Sequence, residues 1–353
     1  MADNFYQRFL RKQDYQLRAD ATRIKTIDMH TGGEPLRVVV AGYPEIAANS
    51  LLEYRRILKT QHDHLRTALM FEPRGHADMY GCLVLPPFHP EADCSVIFMH
   101  NEGYSTMCGH AVIAIMTLAT EMGWVEVVDG HAKLNIEAPC GLIKAVAVVV
   151  DGNISASFDC VPSFVAELDA MVFIESLGAE LSYDLAYGGA FYAYVDARPL
   201  GLELIPANLR RLIDLGSEIK HAVSATNHNI VHPFETDLGF LYGTVFIGDT
   251  VSSGVDSRNV CVFADGEVDR SPTGSGVSGR MAIHFQRSEL RQGQRLLVES
   301  IVASVFAASI IKTLDYGPYK AVIPRIEGSA SVVGSNQWIV NANDDFAHGF
   351  LLR

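Results

Sequence analysis

The chain has 353 residues, 48% of them hydrophobic, and a formal net charge of −13 at pH 7. The chain is longer than a typical single domain, so two domains are expected, and the hydrophobic content is enough to form a core in each. The acidic balance and the lack of a basic surface argue against a nucleic-acid partner. No apolar run reaches the roughly 18 residues of a membrane helix, and no secretory signal is predicted from the polar N-terminus.

The six cysteines are scattered along the chain and form no Cys-x-x-Cys pair; they occupy positions 82, 94, 108, 140, 160 and 261. Such scattering is typical of a reduced, cytoplasmic protein rather than of a disulfide framework. Thirteen histidines occur, His62 and His64 among them, but no known zinc-binding spacing appears, so no metal is predicted. The glycine-containing stretches match neither the dinucleotide nor the Walker pattern, so no nucleotide cofactor is predicted.

The first part of the chain is predicted to hold a short extension and one complete half. Residues 1–23 are polar and carry no motif, so they are interpreted as a partly helical N-terminal extension. Residues 24–181 are predicted to form the first half, with one long helix capped by Asn49 or Ser50. Apolar runs bounded by turn residues predict its strands, which cover residues 24–29, 36–42, 79–85, 94–99, 133–137, 142–150 and 154–160.

The centre of this half is an almost wholly apolar run from Ala111 to Met122, which ends at Gly123. A helix that is apolar on nearly every side is buried on every side, and glycine commonly terminates helices. Cys108 is therefore predicted to lie at the start of a buried central helix. Free backbone N–H groups and the positive end of the helix dipole meet there, so this position favours an anion and makes a thiol more acidic.

Residues 182–353 are predicted to form a second half of the same design, with last strands that can return to the first half. A helix is predicted to begin at Thr273, after a strand and a polar turn, as at Cys108. The remaining elements are predicted from apolar periodicity: a helix over 209–223, strands over 191–195, 241–247 and 259–264, and strand-rich stretches over 296–312 and 320–340.

Two matched spacings indicate an internal duplication. Phe98 and Cys108 are ten positions apart, and so are Phe263 and Thr273. A Gly-Gly pair precedes a strand in each half, at positions 32–33 and at 188–189. Repeats of this kind indicate two similar halves, so the two helix starts are expected to face each other across a cleft.

Four stretches, in order, resemble the proline racemase family strongly: residues 28–35, 107–110, 187–192 and 269–276. The resemblance implies an α+β fold of two pseudo-symmetric halves, each a barrel-like sheet around a central helix, as in diaminopimelate epimerase. It places the site between the halves. It also implies a small imino-acid substrate and a homodimer, and no cofactor is needed.

Racemases of this family place one cysteine at each helix start, on opposite sides of the substrate Cα. Here the first position is Cys108, but the second is Thr273, and a neutral alcohol is far too weak an acid–base partner for an unactivated Cα–H. A Cys–Thr pair resembles the family's trans-3-hydroxy-L-proline dehydratases. The resemblance thus implies a hydro-lyase that yields Δ1-pyrroline-2-carboxylate.

The substrate carboxylate is expected to accept hydrogen bonds from backbone N–H groups at both helix starts, those of Gly109, His110, Gly274 and Ser275. The family pattern assigns Asp269 to the ring nitrogen as a charge-assisted contact. The side chain of His110 is as well explained by a structural role as by a contact with the substrate.

Cys108, as a thiolate, is expected to take the Cα proton. In the trans isomer this proton and the 3-hydroxyl lie on the same side of the ring, so one thiol can take the proton and pass it to the departing oxygen. Thr273 either donates a hydrogen bond or fills space on the other side.

Other interpretations of the sequence stay open. One is a hydroxyproline 2-epimerase or proline racemase that tolerates Thr273, and another is a non-catalytic imino-acid binding protein. Cys140, in a Pro-Cys-Gly turn, is a weaker candidate nucleophile because no second loop is paired with it. A cysteine peptidase is weaker still, since no His–Asn or His–Asp arrangement can be placed around Cys108.

Overall fold

The structure is a computed structural model that describes residues 4–13, 15 and 18–352. Within these ranges the α-helices are α1 (Phe5–Arg11), α2 (Leu51–Gln61), α3 (Asp63–Met70), α4 (Gly109–Glu121), α5 (Leu209–Thr226) and α6 (Gly274–Gln286). The strands are β1 (Ala21–Thr31), β2 (Glu34–Ala41), β3 (Tyr80–Leu85), β4 (Cys94–His100), β5 (His131–Ala138), β6 (Gly141–Val150), β7 (Asn153–Asp159), β8 (Ser163–Ile174), β9 (Ala179–Tyr187), β10 (Phe191–Asp196), β11 (Leu241–Gly248), β12 (Ser257–Phe263), β13 (Glu267–Val268), β14 (Arg295–Glu299), β15 (Val305–Tyr316), β16 (Tyr319–Gly328) and β17 (Ala330–Asn341). None of the helices in these ranges is long and apolar enough to cross a membrane.

One curved sheet surrounds α4. Strand β1 lies between β17 and β2 in antiparallel pairing, and β2 then pairs with β3 in parallel. The pairing continues antiparallel to β4, parallel to β5, and antiparallel through β6 and β7. Helix α4 contacts β1, β2, β5, β6, β7 and β17, so the sheet wraps around the helix and buries it.

A second curved sheet surrounds α6 with the same sequence of pairings. Strands β8, β9 and β10 are antiparallel neighbours, β10 pairs with β11 in parallel, and β11 pairs with β12 antiparallel. The pairing is parallel again from β12 to β14, then antiparallel through β15 and β16. The two sheets join where β16 pairs with β7. The predicted α+β fold, with two pseudo-symmetric halves around central helices, is confirmed.

Some strands pair with partners that are distant in the chain, so the two halves are not two simple consecutive segments. The last strand, β17, pairs with β1 along its whole length, and β8 pairs with β9 and β16. No strand is predicted from the sequence at β8, because two irregularities break its alternation, and Asp169 in the second of them has a positive φ of 54°. The division at residues 181 and 182 stays a prediction.

The two central helices begin where the sequence predicts. Cys108 is the N-cap residue of α4 and Thr273 is that of α6. All residues of α4 from Gly109 to Ala119 are buried, as its apolar composition requires. Gly123, beyond its C-terminus, has a φ of 66°, the left-handed conformation that glycine adopts without strain.

The single long helix predicted after residue 50 is wrong, because the structure has two helices there. Ser50 caps α2 as predicted, and its hydroxyl accepts a hydrogen bond from the Glu53 N–H at 3.2 Å. His62 then leaves the helical conformation, with a φ of −128° and a ψ of 15°, and α3 begins at Asp63. The apolar spacing continues across this break because both helices pack on the same core.

Candidate active site

The starts of α4 and α6 touch each other through two glycines. A Cβ atom on Gly109 would lie 2.6 Å from the Cα atom of Gly274, and one on Gly274 would lie 2.8 Å from the Cα atom of Gly109. These distances are well inside van der Waals contact, so only glycine lets the two backbones approach so closely. The contact places Cys108 and Thr273, the residues directly before the glycines, at one shared cavity.

This cavity gathers every site residue that the sequence predicts: Cys108, Gly109, His110, Asp269, Thr273, Gly274 and Ser275. Five residues that the sequence analysis did not select complete its wall: Tyr80, Met107, Tyr192, Tyr242 and Phe263. Its volume is about 20 Å³, which is room for roughly one water molecule. A five-membered ring with a carboxylate is larger than this space, so the halves must separate before such a molecule can bind.

Cys108 and His110 form a close pair at the start of α4. The Sγ atom of Cys108 lies 3.2 Å from Nδ1 of His110. Burial lowers the pKa of His110 to about 3, although a hydrogen bond with the Pro35 carbonyl raises it, so the imidazole is neutral. A neutral imidazole that donates one N–H to a carbonyl has its other nitrogen free as an acceptor. Nδ1 is the ring nitrogen nearer to Sγ and lies within hydrogen-bond distance of the thiol.

The thiol of Cys108 is held in its neutral form in this closed site. Burial raises its pKa well above the usual value, and the buried carboxyl groups of Asp269 and Glu34 add to this effect. The Ala111 N–H and the Tyr80 hydroxyl act in the opposite direction. The helix start thus lowers the pKa as predicted, but burial outweighs it, and the expectation of an acidic thiol does not hold while the site is closed.

Asp269 presents a buried carboxyl group to the same cavity. Burial raises its pKa to about 6, and hydrogen bonds with Ser271 lower it. One of these is donated by the Ser271 N–H to Oδ1 at 2.7 Å. Since this pKa lies below 7, the group is mostly ionised at neutral pH, and a buried carboxylate of this kind favours a cation beside it.

Thr273 is held in a conformation that costs energy. Its φ is 68°, and a residue other than glycine pays about 1–2 kcal/mol in the left-handed region. Its hydroxyl is buried without a hydrogen bond of full geometry, although it lies near enough to Asp269 and Cys261 to lower the pKa of each. Strain and an unsatisfied polar group at a cavity wall are typical of functional sites.

Three tyrosines add hydroxyl groups to the cavity wall. The Tyr192 hydroxyl lies 2.7 Å from Oγ of Ser275, at the start of α6. The Tyr80 hydroxyl lies 2.5 Å from Oγ of Ser105 and 3.4 Å from the hydroxyl of Tyr242. The sequence has Tyr-Gly pairs at residues 80–81 and 242–243, near the start of β3 and of β11, but two more at 187–188 and 316–317 lie outside the cavity, so the pair alone does not identify these residues.

Two weaker sequence candidates lie outside the cavity. Cys140 is buried in the turn between β5 and β6, where its N–H donates to the Thr106 carbonyl, and burial raises the pKa of its thiol well above the usual value. His62 and His64 lie at the junction of α2 and α3, with ring centroids 6.3 Å apart. Across residues 4–13, 15 and 18–352, no three His, Cys, Asp or Glu side chains gather as metal ligands would.

Known proteins match this chain over nearly its full length. The family described as Proline racemase matches residues 26–351. A trans-3-hydroxy-L-proline dehydratase of Colwellia psychrerythraea is 46% identical, over 94% of this chain and 93% of that protein. A 3-hydroxyproline 2-epimerase of Burkholderia multivorans is 44% identical, over 94% of this chain and 98% of that protein.

Solved structures agree with this result. The crystal structure of a hydroxyproline epimerase from Agrobacterium vitis, with bound trans-4-OH-L-proline, is 32% identical to this chain and has a TM-score of 0.85. The match covers 94% of this chain and 96% of that one. With matched sequence, fold and helix starts, the chain belongs to the proline racemase family.

Proposed function

We propose that this protein is a hydro-lyase that dehydrates trans-3-hydroxy-L-proline to Δ1-pyrroline-2-carboxylate, with Cys108 as the acid–base group. The observation that carries the proposal is the unequal pair at the two helix starts. One helix start brings a thiol to the cavity, and the other brings the hydroxyl of Thr273. The dehydratase of Colwellia psychrerythraea, 46% identical to this chain, supports the same reaction.

The helix starts supply the binding site for the substrate carboxylate. The first N–H groups of a helix have no partner within it, and the dipole adds a partial positive charge. Two such ends meet at this cavity, and their N–H groups belong to Gly109, His110, Gly274 and Ser275. A carboxylate bound there also makes the Cα–H more acidic, because negative charge that spreads into it is stabilised.

Asp269 supplies the contact for the ring nitrogen. The nitrogen is a cation in the free imino acid, and a buried carboxylate is its natural partner. With the carboxylate held at the helix starts and the nitrogen at Asp269, two of the substituents on Cα are fixed. The Cα hydrogen then points to one side of the cavity, which we assign to Cys108.

Proton transfer begins at the Cys108 sulfur. The thiol loses its proton to water while the site is open, where burial does not raise its pKa, and the thiolate takes the Cα proton once the substrate is bound. The new thiol passes that proton to the departing 3-hydroxyl, which leaves as water, while the electron pair of the Cα–H bond forms the Cα–Cβ double bond. The resulting enamine tautomerises to the cyclic imine, and the sulfur is again a thiolate.

An epimerase is the second candidate, and the 44% identical relative from Burkholderia multivorans favours it. Epimerisation removes a proton from one side of Cα and returns another from the opposite side. Thr273 would have to perform the second step, and a neutral alcohol is a very weak acid. A binding protein without catalysis is disfavoured because it needs no thiol–imidazole pair.

Product analysis separates these functions. The purified protein is incubated separately with trans-3-hydroxy-L-proline, trans-4-hydroxy-L-proline and L-proline, and each product is examined by mass and optical rotation. We expect trans-3-hydroxy-L-proline alone to lose one water. Inversion of any of the three without a change in mass would refute the dehydratase. Tight binding of one imino acid, with no turnover of any, would establish the binding protein.

The role of Cys108 has its own test. The Cys108→Ser variant replaces the thiol with a much weaker acid, so turnover is expected to fall by about 10³-fold or more. The matched control is Cys140→Ser, which changes a buried cysteine outside the cavity and is expected to keep turnover. Full activity of Cys108→Ser would show that another group is the base.

The compartment and the assembly are part of the same proposal. All six cysteines are free thiols, which suits the reducing cytoplasm, and the family resemblance supports a homodimer. Cell fractionation and sedimentation equilibrium test these two points. Recovery of the protein with oxidised cysteines in a secreted fraction, or as a monomer at micromolar concentration, would contradict them.

A further inference from the structure

Each half sends one tyrosine into the cavity from an equivalent strand. Strands β3 and β11 hold the same place in the two halves, between a parallel and an antiparallel neighbour. The glycine that follows each tyrosine is confined by close packing. A Cβ atom on Gly81 would lie 2.8 Å from Cε of Met70, and one on Gly243 would lie 2.5 Å from the Val262 carbonyl oxygen.

The tyrosine of the first half is fixed against His110, whose ring lies beside the Cys108 sulfur. The Tyr80 ring meets the His110 ring edge to face, with centroids 4.9 Å apart, and stacks on His100 at 5.5 Å. Its hydroxyl lies 2.5 Å from Oγ of Ser105, in the loop that leads to Cys108. All of these contacts lie within the first half, so separation of the halves does not break them.

The tyrosine of the second half reaches the first only across the boundary between them. The hydroxyl of Tyr242 lies 3.4 Å from that of Tyr80. No other residue of the second half is paired with the Tyr80 hydroxyl in the described ranges. This contact therefore forms when the halves close and is lost when they open.

We propose that Tyr80 is a catalytic residue whose hydroxyl donates a hydrogen bond to the Cys108 sulfur when the sulfur is a thiolate, and that Tyr242 is a positioning residue that orients Tyr80 on closure. The proposal rests on the proposed function in that it takes Cys108 as the base. It adds the group that stabilises the negative charge on the sulfur before the sulfur takes the Cα proton.

The chemistry of the surrounding groups supports this role. The titratable groups around Cys108 come from five elements and the loop before α6: Glu34 on β2, Tyr80 on β3, His110 on α4, Tyr192 on β10, Tyr242 on β11 and Asp269 in the loop. Two of them are carboxyl groups that disfavour a thiolate, and the imidazole is neutral in the closed site. Burial raises the pKa of Tyr80 well above its usual value, so its hydroxyl keeps the proton that it donates.

The Tyr80→Phe variant tests the proposal because it removes one oxygen and keeps the ring packing. The rate at which iodoacetamide alkylates Cys108 in the full-length protein is measured from pH 6 to 10 by peptide mass spectrometry, without substrate. A hydrogen bond to an ionised group stabilises the ionised form, so this one favours the thiolate over the thiol by roughly ten-fold or more. We expect alkylation at pH 7.5 to slow about ten-fold and to recover at pH 10.

Two further variants separate the tyrosines. Tyr242→Phe is expected to leave alkylation within about two-fold, since iodoacetamide reaches Cys108 in the open protein, but to lower kcat for trans-3-hydroxy-L-proline by about five-fold with little change in KM. The matched control is Tyr183→Phe, whose hydroxyl binds the Asn227 side chain at 2.7 Å away from the cavity. It is expected to change neither quantity.

Several outcomes would overturn the proposal. An unchanged alkylation profile for Tyr80→Phe would show that its hydroxyl does not stabilise the thiolate. Equal slowing of alkylation at every pH would show instead that the substitution changes the access of iodoacetamide to Cys108. If Tyr80→Phe does not fold, Ser105→Ala frees the same hydroxyl without touching a ring, and an unshifted profile there refutes the proposal. Because alkylation uses no substrate, a shifted profile in a protein that dehydrates nothing would reject the proposed function alone.

Discussion

Replacement of Asp269 by asparagine should make the protein more stable at neutral pH. Burial raises the pKa of this carboxyl group to about 6 from an ordinary value of 3.8. The folded protein therefore holds the proton more tightly than the unfolded chain does. The resulting stabilisation is full below pH 3.8 and is lost as pH rises through 6. A neutral asparagine does not titrate, so the variant keeps at neutral pH the stability that the wild type loses as pH rises.

The size of the effect follows from the same shift. One pKa unit corresponds to about 1.4 kcal/mol, so the interval between 3.8 and about 6 gives about 3 kcal/mol at pH 7.5. Asparagine can still accept the hydrogen bond that the Ser271 N–H donates to Asp269. Little of the gain is therefore offset by a lost contact.

Urea denaturation of the wild type and of Asp269→Asn, at pH values from 4 to 8, measures this difference. The two curves should lie closest near pH 4, separate between about pH 4 and 6, and stay about 3 kcal/mol apart above that, with the variant more stable. Asp265→Asn, which changes an exposed carboxylate in the turn between β12 and β13, should track the wild type. A variant no more stable than the wild type at pH 7.5 would refute the reasoning. Turnover should fall in the same variant, since the ring nitrogen loses its charged partner.

Two further predictions concern the helix starts. Thr273→Cys restores a second thiol, so the variant should exchange the Cα hydrogen of L-proline or trans-4-hydroxy-L-proline with solvent deuterium; no exchange would show that opposed thiols alone are insufficient. Gly109→Ala places a Cβ atom 2.6 Å from the opposite backbone and should cost about 1–3 kcal/mol of stability and lower kcat/KM by at least ten-fold. Gly334→Ala, with no atom closer than 3.4 Å to the added Cβ, is the control for urea denaturation and for turnover, and equal losses in both variants would contradict the argument.

The sequence predicts the helix starts because their signals are local. An apolar run without a polar side, a polar turn before it and a glycine after it determine α4 whatever surrounds it. The repeat of this pattern at Thr273 then predicts the cleft. The same reasoning fails at residues 51–70, where two helices share one apolar spacing, and at β8, where two irregularities erase the alternation.

The electrostatics of the site could not be predicted from the sequence. The position of Cys108 at a helix start indicates a lowered pKa, but the burial that raises it exists only because two distant segments close over the sulfur. Tyr80 and Tyr242 were missed for a related reason. A tyrosine at the start of a strand is ordinary, and its importance depends on the hydroxyl that it meets from the other half.

The meeting of the two glycines has a consequence for how this scaffold can change its chemistry. Two identical polypeptides related by a true two-fold axis would have to offer the same group above and below a bound ring. A single polypeptide that carries both helices is free of that requirement. One helix start can therefore lose its reactive group while the other keeps one. Inversion and elimination then differ by the group on one side of the ring, while the glycine contact and the N–H groups for the carboxylate stay the same.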